Sequence, residues 1–117
     1  MVLKSLDFDF HQKAKFIDNL LESTNIPEKY SVENAPLLGV PFSCKENIWV
    51  KDKPNSSGLV CNKNKLAPQD SEVVKNMRDA GAILIAITNL SEICLFMESR
   101  NNLYGRTNNA YNLSRFL

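Results

Sequence analysis

The 117-residue sequence predicts an α/β fold in which helices pack on a mixed, largely parallel sheet. Two apolar runs of strand length, residues 37–44 and 82–88, alternate with segments of helical periodicity. This alternation is typical of α/β proteins, and strands joined through a helix pair in parallel. We therefore expect parallel pairing between the strand that leads into Lys45 and the strand around Ile83.

The first predicted element is a helix whose apolar residues lie on one face. They recur at spacings of four, three and four: Phe10, Ala14, Ile17 and Leu21. Asp7 or Asp9 would cap its start, and Pro27 follows its predicted end. We place this helix in an N-terminal helical segment, residues 1–30, ahead of a larger region, residues 31–117.

Lys45 ends an apolar run that contains no other charged residue. A strand buried on both faces has such a continuous apolar sequence, so we expect this strand to deliver a long cation to the edge of the core. Burial disfavours the charged form of a lysine, which is one way in which a lysine becomes a general base. The alternative is an ordinary surface cation that extends from the strand end into water.

The second half of the sequence predicts a helix, a strand and a third helix. Asp70 would cap the first of these, and Gly81 would end it. Its apolar stripe contains Val73, Val74 and Met77. Residues 82–88 are apolar throughout and predict a strand buried on both faces. Asn89 with Glu92 three residues later has the form of a capping box, so we expect the third helix there.

Three stretches have a weaker pattern. Residues 48–50 read as a short continuation of the first strand or as a strand of their own. Residues 51–58 have the composition of a loop, and residues 59–68 are polar and irregular, without a helical or strand period. Residues 98–115 are rich in asparagine and have neither helical nor strand period. A structureless stretch of that length in a compact domain is either functional or incomplete.

The composition argues against several classes of protein. A net charge of +1 with no basic patch does not fit nucleic-acid binding. Three cysteines without a C-x-x-C pair fit reduced thiols in a cytoplasmic chain, and one histidine, His11, excludes a histidine-based triad. No stretch has the roughly 18 apolar residues of a membrane span, and no glycine-rich nucleotide motif is present. We expect no metal and no cofactor.

Five groups of residues follow one another in an order that carries a resemblance. They are residues 36–41 with 45–47, residues 54–58, residues 80–82, residues 88–89 with 92, and residues 104–105 with 108–109 and 114–115. Together they resemble the amidase signature family of hydrolases. Residues 55–58 and 94–104 are most similar to its fatty-acid amide hydrolase 2 branch. The resemblance implies a partial amidase-signature fold, with residues 31–117 as the N-terminal portion of an amidase domain.

The resemblance also implies a chemistry. Family members cleave carbon–nitrogen amide bonds of small-molecule substrates through a Ser–cis-Ser–Lys triad, and Lys45 matches the lysine that acts as base toward the bridging serine. Cys94, Leu95 and Met97 match a stretch that lines the acyl pocket of fatty-acid amide relatives, and would therefore bind substrate. Without the resemblance, these three residues would be the buried face of the third predicted helix.

The sequence departs from the family pattern at its catalytic serines. The Gly-Gly-Ser-Ser-Gly-Gly segment of the family does not occur, and Ser56-Ser57-Gly58 belongs to an earlier loop. We therefore expect a chain that is truncated before the catalytic serines and is inactive alone. The resemblance also implies that full-length relatives are membrane-associated enzymes. Two alternatives remain open: a non-catalytic remnant that binds a full-length amidase or its own copies through exposed sheet edges, and an independent small α/β binding protein.

Overall fold

The computed structural model describes residues 10–115. Its longer elements are helix α1 (Phe10–Leu21), strand β1 (Pro41–Lys45), helix α2 (Glu72–Asp79) and strand β2 (Ile83–Thr88). Two short strands follow, β3 (Arg100–Asn101) and β4 (Gly105–Arg106). Three 3₁₀ turns cover Glu28–Tyr30, Val60–Asn62 and Glu92–Cys94. The predicted capping residues Asp7 and Asp9 lie outside the described residues.

The predicted parallel pairing is confirmed. Strands β1 and β2 form a two-stranded parallel sheet in which Pro41 pairs with Ile83 and Lys45 with Thr88. The register shifts between Phe42 and Ser43, where the ladder is irregular. Strands β3 and β4 form a separate antiparallel pair, and both α1 and α2 lie against β2. The α/β class predicted from the order of elements is therefore correct.

Gly81 ends α2 as predicted, and it does so for two physical reasons. Its backbone is left-handed, with φ of +92°, a conformation that glycine adopts without steric cost. A Cβ atom at this position would lie 2.8 Å from the Cα of Leu38. The approach is fixed by hydrogen bonds from Leu37 N to Ala80 O (2.8 Å) and from Gly39 N to Gly81 O (3.1 Å). The segment before β1 therefore packs directly on the turn before β2.

The core lies between α2 and the parallel pair. It contains Cys44, Val50, Val74, Leu84 and Ile87. Strand β2 is almost wholly buried, as its apolar sequence predicts, whereas β1 is not. Only Cys44 of β1 is fully buried, and Lys45 is exposed. The expectation that β1 is buried on both faces is wrong, because within residues 10–115 it pairs with β2 alone and one of its faces is open.

The residue predicted to cap α2 has a different role. Ser71 occupies the N-cap position, while Asp70 accepts a hydrogen bond from Lys51 N (2.7 Å) and forms an ion pair with Arg78 (3.1 Å). Asp70 therefore ties the loop after β1 to α2. A cap assigned from sequence cannot anticipate such a long-range partner, because the competing donor lies 19 residues away.

The third predicted helix is also absent from the described residues. After β2 the chain forms only the 3₁₀ turn at Glu92–Cys94, in which Ile93 (φ 52°) and Cys94 (φ 59°) are left-handed. Helical continuation is incompatible with these angles. Residues 48–50 likewise form no strand, and residues 98–115 are irregular apart from the short β3–β4 pair.

The described chain is elongated. Its principal extents are 50 × 34 × 22 Å and its radius of gyration is 16.5 Å, against about 13 Å for a compact domain of 100 residues. Within residues 10–115 no helix combines the length and the apolar character needed to cross a membrane. In this elongated shape, large apolar side chains such as Leu95, Phe96 and Met97 are exposed to solvent.

Candidate active site at the carboxyl ends of the parallel strands

The candidate site lies where β1 and β2 end. Lys45 is the last residue of β1, and its register partner Thr88 is the last residue of β2. In open α/β sheets, ligands bind beyond the carboxyl ends of parallel strands. The sheet therefore places Lys45 at the position where this architecture usually holds its chemistry.

Lys45 borders a depression of about 470 Å³. The depression is lined by Ser43, Lys45, Ile48, Thr88, Asn89, Ser99 and Thr107. The side chain of Lys45 is exposed, and no described residue forms a hydrogen bond or ion pair with its amine. The amine is therefore accessible to a reacting group that approaches from outside residues 10–115.

Glu46, directly after Lys45, is the residue that sequence reasoning missed. It is 1 % exposed, and its carboxylate receives four hydrogen bonds. Oε1 accepts from Ser56 N (2.7 Å), Ser56 Oγ (2.6 Å) and Tyr104 Oη (3.2 Å), while Oε2 accepts from Ser57 N (2.9 Å). The backbone carbonyl of Glu46 also accepts from Asn55 Nδ2 at 3.0 Å. One buried side chain thus binds two loops that are distant in sequence.

The loop at residues 55–58 is shaped around this carboxylate. Ser57 (φ 53°) and Gly58 (φ 75°) are left-handed, which turns successive backbone N–H groups toward Glu46 and Ser56. The Ser56 hydroxyl donates to Glu46 and accepts from Gly58 N at 3.1 Å. Ser56 is therefore occupied by Glu46 rather than paired with Lys45, in agreement with the view that this Ser-Ser-Gly is not the catalytic one.

A second cluster of buried polar side chains lies beside the first. Asn89 Nδ2 donates to Thr107 Oγ1 (3.0 Å) and to the carbonyls of Ser99 and Gly105 (both 3.2 Å). Asn101 Nδ2 donates to Asn89 Oδ1 and to Leu90 O, both at 2.8 Å. The capping role predicted for Asn89 is wrong, because its amide instead fastens residues 99–107 to the end of β2.

The predicted substrate-binding residues lie on a different surface. Cys94, Leu95 and Met97 are exposed, with Leu95 81 % and Met97 93 % accessible. Leu95 lines a separate depression of about 470 Å³ together with Phe96 and Arg100, outside the residues that surround Lys45. The alternative in which these residues form the buried face of a helix is wrong. Their role toward substrate stays a prediction.

One further reactive side chain, that of Cys44, directly precedes Lys45 in β1. Cys44 is buried, and burial, reinforced by the negative charge of Asp70, raises the pKa of its thiol. This agrees with an inert thiol beside Lys45 rather than a nucleophile. Among residues 10–115, no group of three histidine, cysteine or acidic side chains is arranged to hold a metal ion.

Comparison with known proteins gives a consistent picture. A family model described as Amidase matches residues 14–117. The chain is 45% identical over 103 residues to fatty-acid amide hydrolase 2-B of Danio rerio, covering 88% of this chain and 20% of that protein. It is 39% identical over 106 residues to fatty-acid amide hydrolase 2 of Homo sapiens, covering 91% and 20%.

A solved structure described as fatty acid amide hydrolase superposes with a TM-score of 0.77. The superposition has 26% sequence identity and covers 95% of this chain and 19% of that one. The chain thus spans about a fifth of the length of the relatives that it matches.

Proposed function

The chain belongs to the amidase signature family, and on that premise we propose that it carries the base of a site that hydrolyses the carbon–nitrogen bond of fatty-acid amides. The observation that supports this most directly is the position of Lys45. Its amine emerges at the carboxyl end of a parallel strand, beside a depression, without a partner among residues 10–115. A lysine in such a position is accessible to a serine hydroxyl.

In the proposed reaction, Lys45 accepts a proton from a bridging serine as that serine takes the proton of the nucleophilic serine. The nucleophile attacks the amide carbonyl, the proton held by Lys45 returns through the bridging serine to the departing nitrogen, and the carbon–nitrogen bond breaks. Water then hydrolyses the acyl-serine ester and regenerates the nucleophile. The 117 residues contain no Gly-Gly-Ser-Ser-Gly-Gly sequence, so both serines of the proposed triad lie outside these residues. Triad residues act as a unit, and we therefore propose that this chain alone does not hydrolyse amides.

The fatty-acid type of substrate is supported by the apolar surface near residue 95 and by the names of the relatives. Cys94, Leu95 and Met97 expose sulfur and hydrocarbon that would bind an acyl chain. Each methylene transferred from water to such a surface contributes about 0.8 kcal/mol. An acyl chain would therefore bind more tightly with increasing length.

A fusion protein tests the proposal. It joins the whole 117-residue chain to the part of Danio rerio fatty-acid amide hydrolase 2-B that follows its matched segment, which supplies the remaining residues. We expect the fusion protein to release amine from a long-chain fatty amide. Lys45→Met, which keeps most of the unbranched side chain and removes the base, should lower kcat/KM by about 10²–10⁴-fold.

The matched control is Lys63→Met, because Lys63 is an exposed lysine of the loop before α2. That variant should keep the kcat/KM of the parent fusion protein. Equal turnover by the Lys45→Met and parent proteins would contradict the role given to Lys45. Turnover by the unfused 117-residue chain would contradict the proposed inactivity.

A further inference from the structure

We propose that Glu46 is a positioning residue for Lys45: its buried carboxylate locks the turn from which the lysine projects. The inference rests on the proposed function of Lys45, and it adds a residue whose side chain faces away from the reacting groups. Lys45 is exposed and Glu46 is 1 % exposed, so consecutive side chains point to opposite sides of the strand end.

The side chain of Glu46 is almost completely buried. Removing a carboxylate from water is unfavourable unless hydrogen bonds replace its hydration, and an apolar side chain would fill the same volume at less cost. At Glu46 four neutral donors replace that hydration, and they come from two loops, residues 56–57 and residue 104. A group that is expensive to bury and is satisfied so completely fixes one arrangement of both loops around the strand end.

Backbone hydrogen bonds hold the turn that follows Lys45. Glu46 N donates to Thr88 O at 3.1 Å, and Ile48 N donates to Lys45 O at 2.9 Å. Residue 46 is therefore held by its main chain on β2 and by its side chain on the loops. The direction of the Lys45 side chain depends on these same peptide planes. Catalytic groups lose about 10²-fold in rate when displaced by about 1 Å, so the anchoring of this turn bears directly on the base.

Within residues 10–115, every hydrogen-bond partner of the Glu46 carboxylate is a donor. Ser56 N, Ser57 N and the two hydroxyls give hydrogens to Glu46, which suits an ionised carboxylate because it only accepts. A glutamine has nearly the same shape but carries two N–H donors. In whichever orientation it sits, its NH₂ group faces at least one of these donors. Glu46→Gln therefore removes the locking interaction with almost no change in volume.

The experiment uses the fusion protein defined above. We expect Glu46→Gln to lower kcat by about 10–100-fold, with KM changed by less than about threefold, because the base is misplaced while substrate binding is kept. Tyr104→Phe removes the hydroxyl that donates to Glu46 at 3.2 Å and lies 3.1 Å from Ser56 Oγ, leaves the three donors of residues 56 and 57 in place, and should lower kcat by a smaller factor. Glu22→Gln, a change at an exposed glutamate after α1, is the matched control and should leave kcat unchanged.

Hydrogen exchange of the same proteins gives a readout that needs no turnover. In Glu46→Gln, the amides of residues 46, 48, 56 and 57 should exchange at least about tenfold faster than in the parent, since their bonds open together. Unchanged exchange at these amides would overturn the proposal. So would a kcat of Glu46→Gln within about threefold of the parent when Lys45→Met shows its expected loss of activity.

Two outcomes separate this inference from the proposed function. Turnover that survives Lys45→Met contradicts the function of Lys45, whereas turnover that needs Lys45 and ignores Glu46→Gln contradicts only the positioning role. Should Glu46→Gln fail to fold, Tyr104→Phe decides. An unchanged kcat and unchanged exchange at residues 46 and 48 in that variant would overturn the proposal.

Discussion

Two regions that follow the parallel strands have opposite relations to solvent. The first, here called the polar junction, consists of buried polar residues: Glu46, Asn55, Ser56, Asn89, Asn101 and Thr107. The second, residues 93–97, is apolar and exposed, with Leu95 and Met97 more than four-fifths accessible. Near the end of the sheet, the usual relation between hydropathy and burial is therefore reversed.

The reversal has a physical basis in hydrogen bonding. Each buried side chain of the polar junction forms hydrogen bonds, which remove most of the free-energy cost of burying it. Two backbone N–H groups of residues 93–97 donate hydrogen bonds, Ile93 N to the carbonyl of Ser57 (2.9 Å) and Phe96 N to the side-chain hydroxyl of Ser91 (3.2 Å). Ser57, whose own N–H donates to Glu46, and Ser91 thus fix the backbone of an apolar surface whose side chains are exposed.

The largest expected effect separates two leucines, one from each side of this comparison. Leu90 is 0 % exposed beneath the junction, whereas Leu95 is exposed. Leu90→Ala should lower the free energy of unfolding by about 2–5 kcal/mol, because it removes buried hydrocarbon and leaves a cavity. Leu95→Ala should change it by less than about 0.5 kcal/mol. Urea unfolding followed by Trp49 fluorescence measures both, and equal values would contradict the assignment of the two regions.

The next effect compares two adjacent asparagines. Asn101 donates to Asn89 Oδ1 and to Leu90 O, and its own Oδ1 accepts from the amides of residues 103 and 104. Asn101→Ala should destabilise the chain by about 2–3 kcal/mol, since buried donors and acceptors lose their partners. Asn102 is exposed and donates only to Glu92 among the bonds described, at 3.2 Å. Asn102→Ala should lower the free energy of unfolding by about 0.5 kcal/mol or less. Similar decreases for the two variants in urea titrations would contradict a stabilising role of the polar junction.

The smallest effect is a pH dependence that separates two cysteines. Burial raises the pKa of the Cys44 thiol above its ordinary value of 9.0, so the folded chain holds this proton more tightly than the unfolded chain does. Its stabilising contribution is complete below pH 9.0 and is lost as the pH rises through the folded pKa. Cys44→Ala should therefore make the loss of stability above pH 9.0 less steep. Cys94→Ala, at an exposed position, should leave the dependence of stability on pH above 9.0 unchanged. The same pH dependence in the two variants would contradict burial of the Cys44 thiol as the cause of the loss of stability.

Much of the fold was predictable because it depends on local patterns. The helical stripe around Ile17, the apolar run of β2 and the left-handed turn at Gly81 each require only neighbouring residues. The parallel pairing of β1 with β2 followed from the order of elements. Lys45 at the end of β1 was found by its contrast with an apolar run, which is likewise a local signal.

The wrong predictions about helix caps and the third helix share a cause, which is a hydrogen-bond partner distant in the chain. Asp70 and Asn89 are both of residue types that commonly cap helices. Their side chains instead form hydrogen bonds with Lys51 and with residues 99–107, respectively. The third helix predicted after β2 was lost for the same reason, since Asn89 is engaged elsewhere and Ile93 is left-handed. Local propensity does not determine the hydrogen-bond partner of a polar side chain when a stronger partner lies far away in the sequence.

Sequence by itself therefore determined the α/β class, the parallel pair, the family and the lysine at the strand end, because periodicity and ordered motifs are written along the chain. Tertiary structure alone decided that β1 is open on one face, that Glu46 rather than Lys45 is buried, and that residues 93–97 are exposed. Burial and hydrogen-bond partners depend on which segments meet in space. Ser56 and Tyr104, 10 and 58 residues from Glu46, meet it only when the chain has folded.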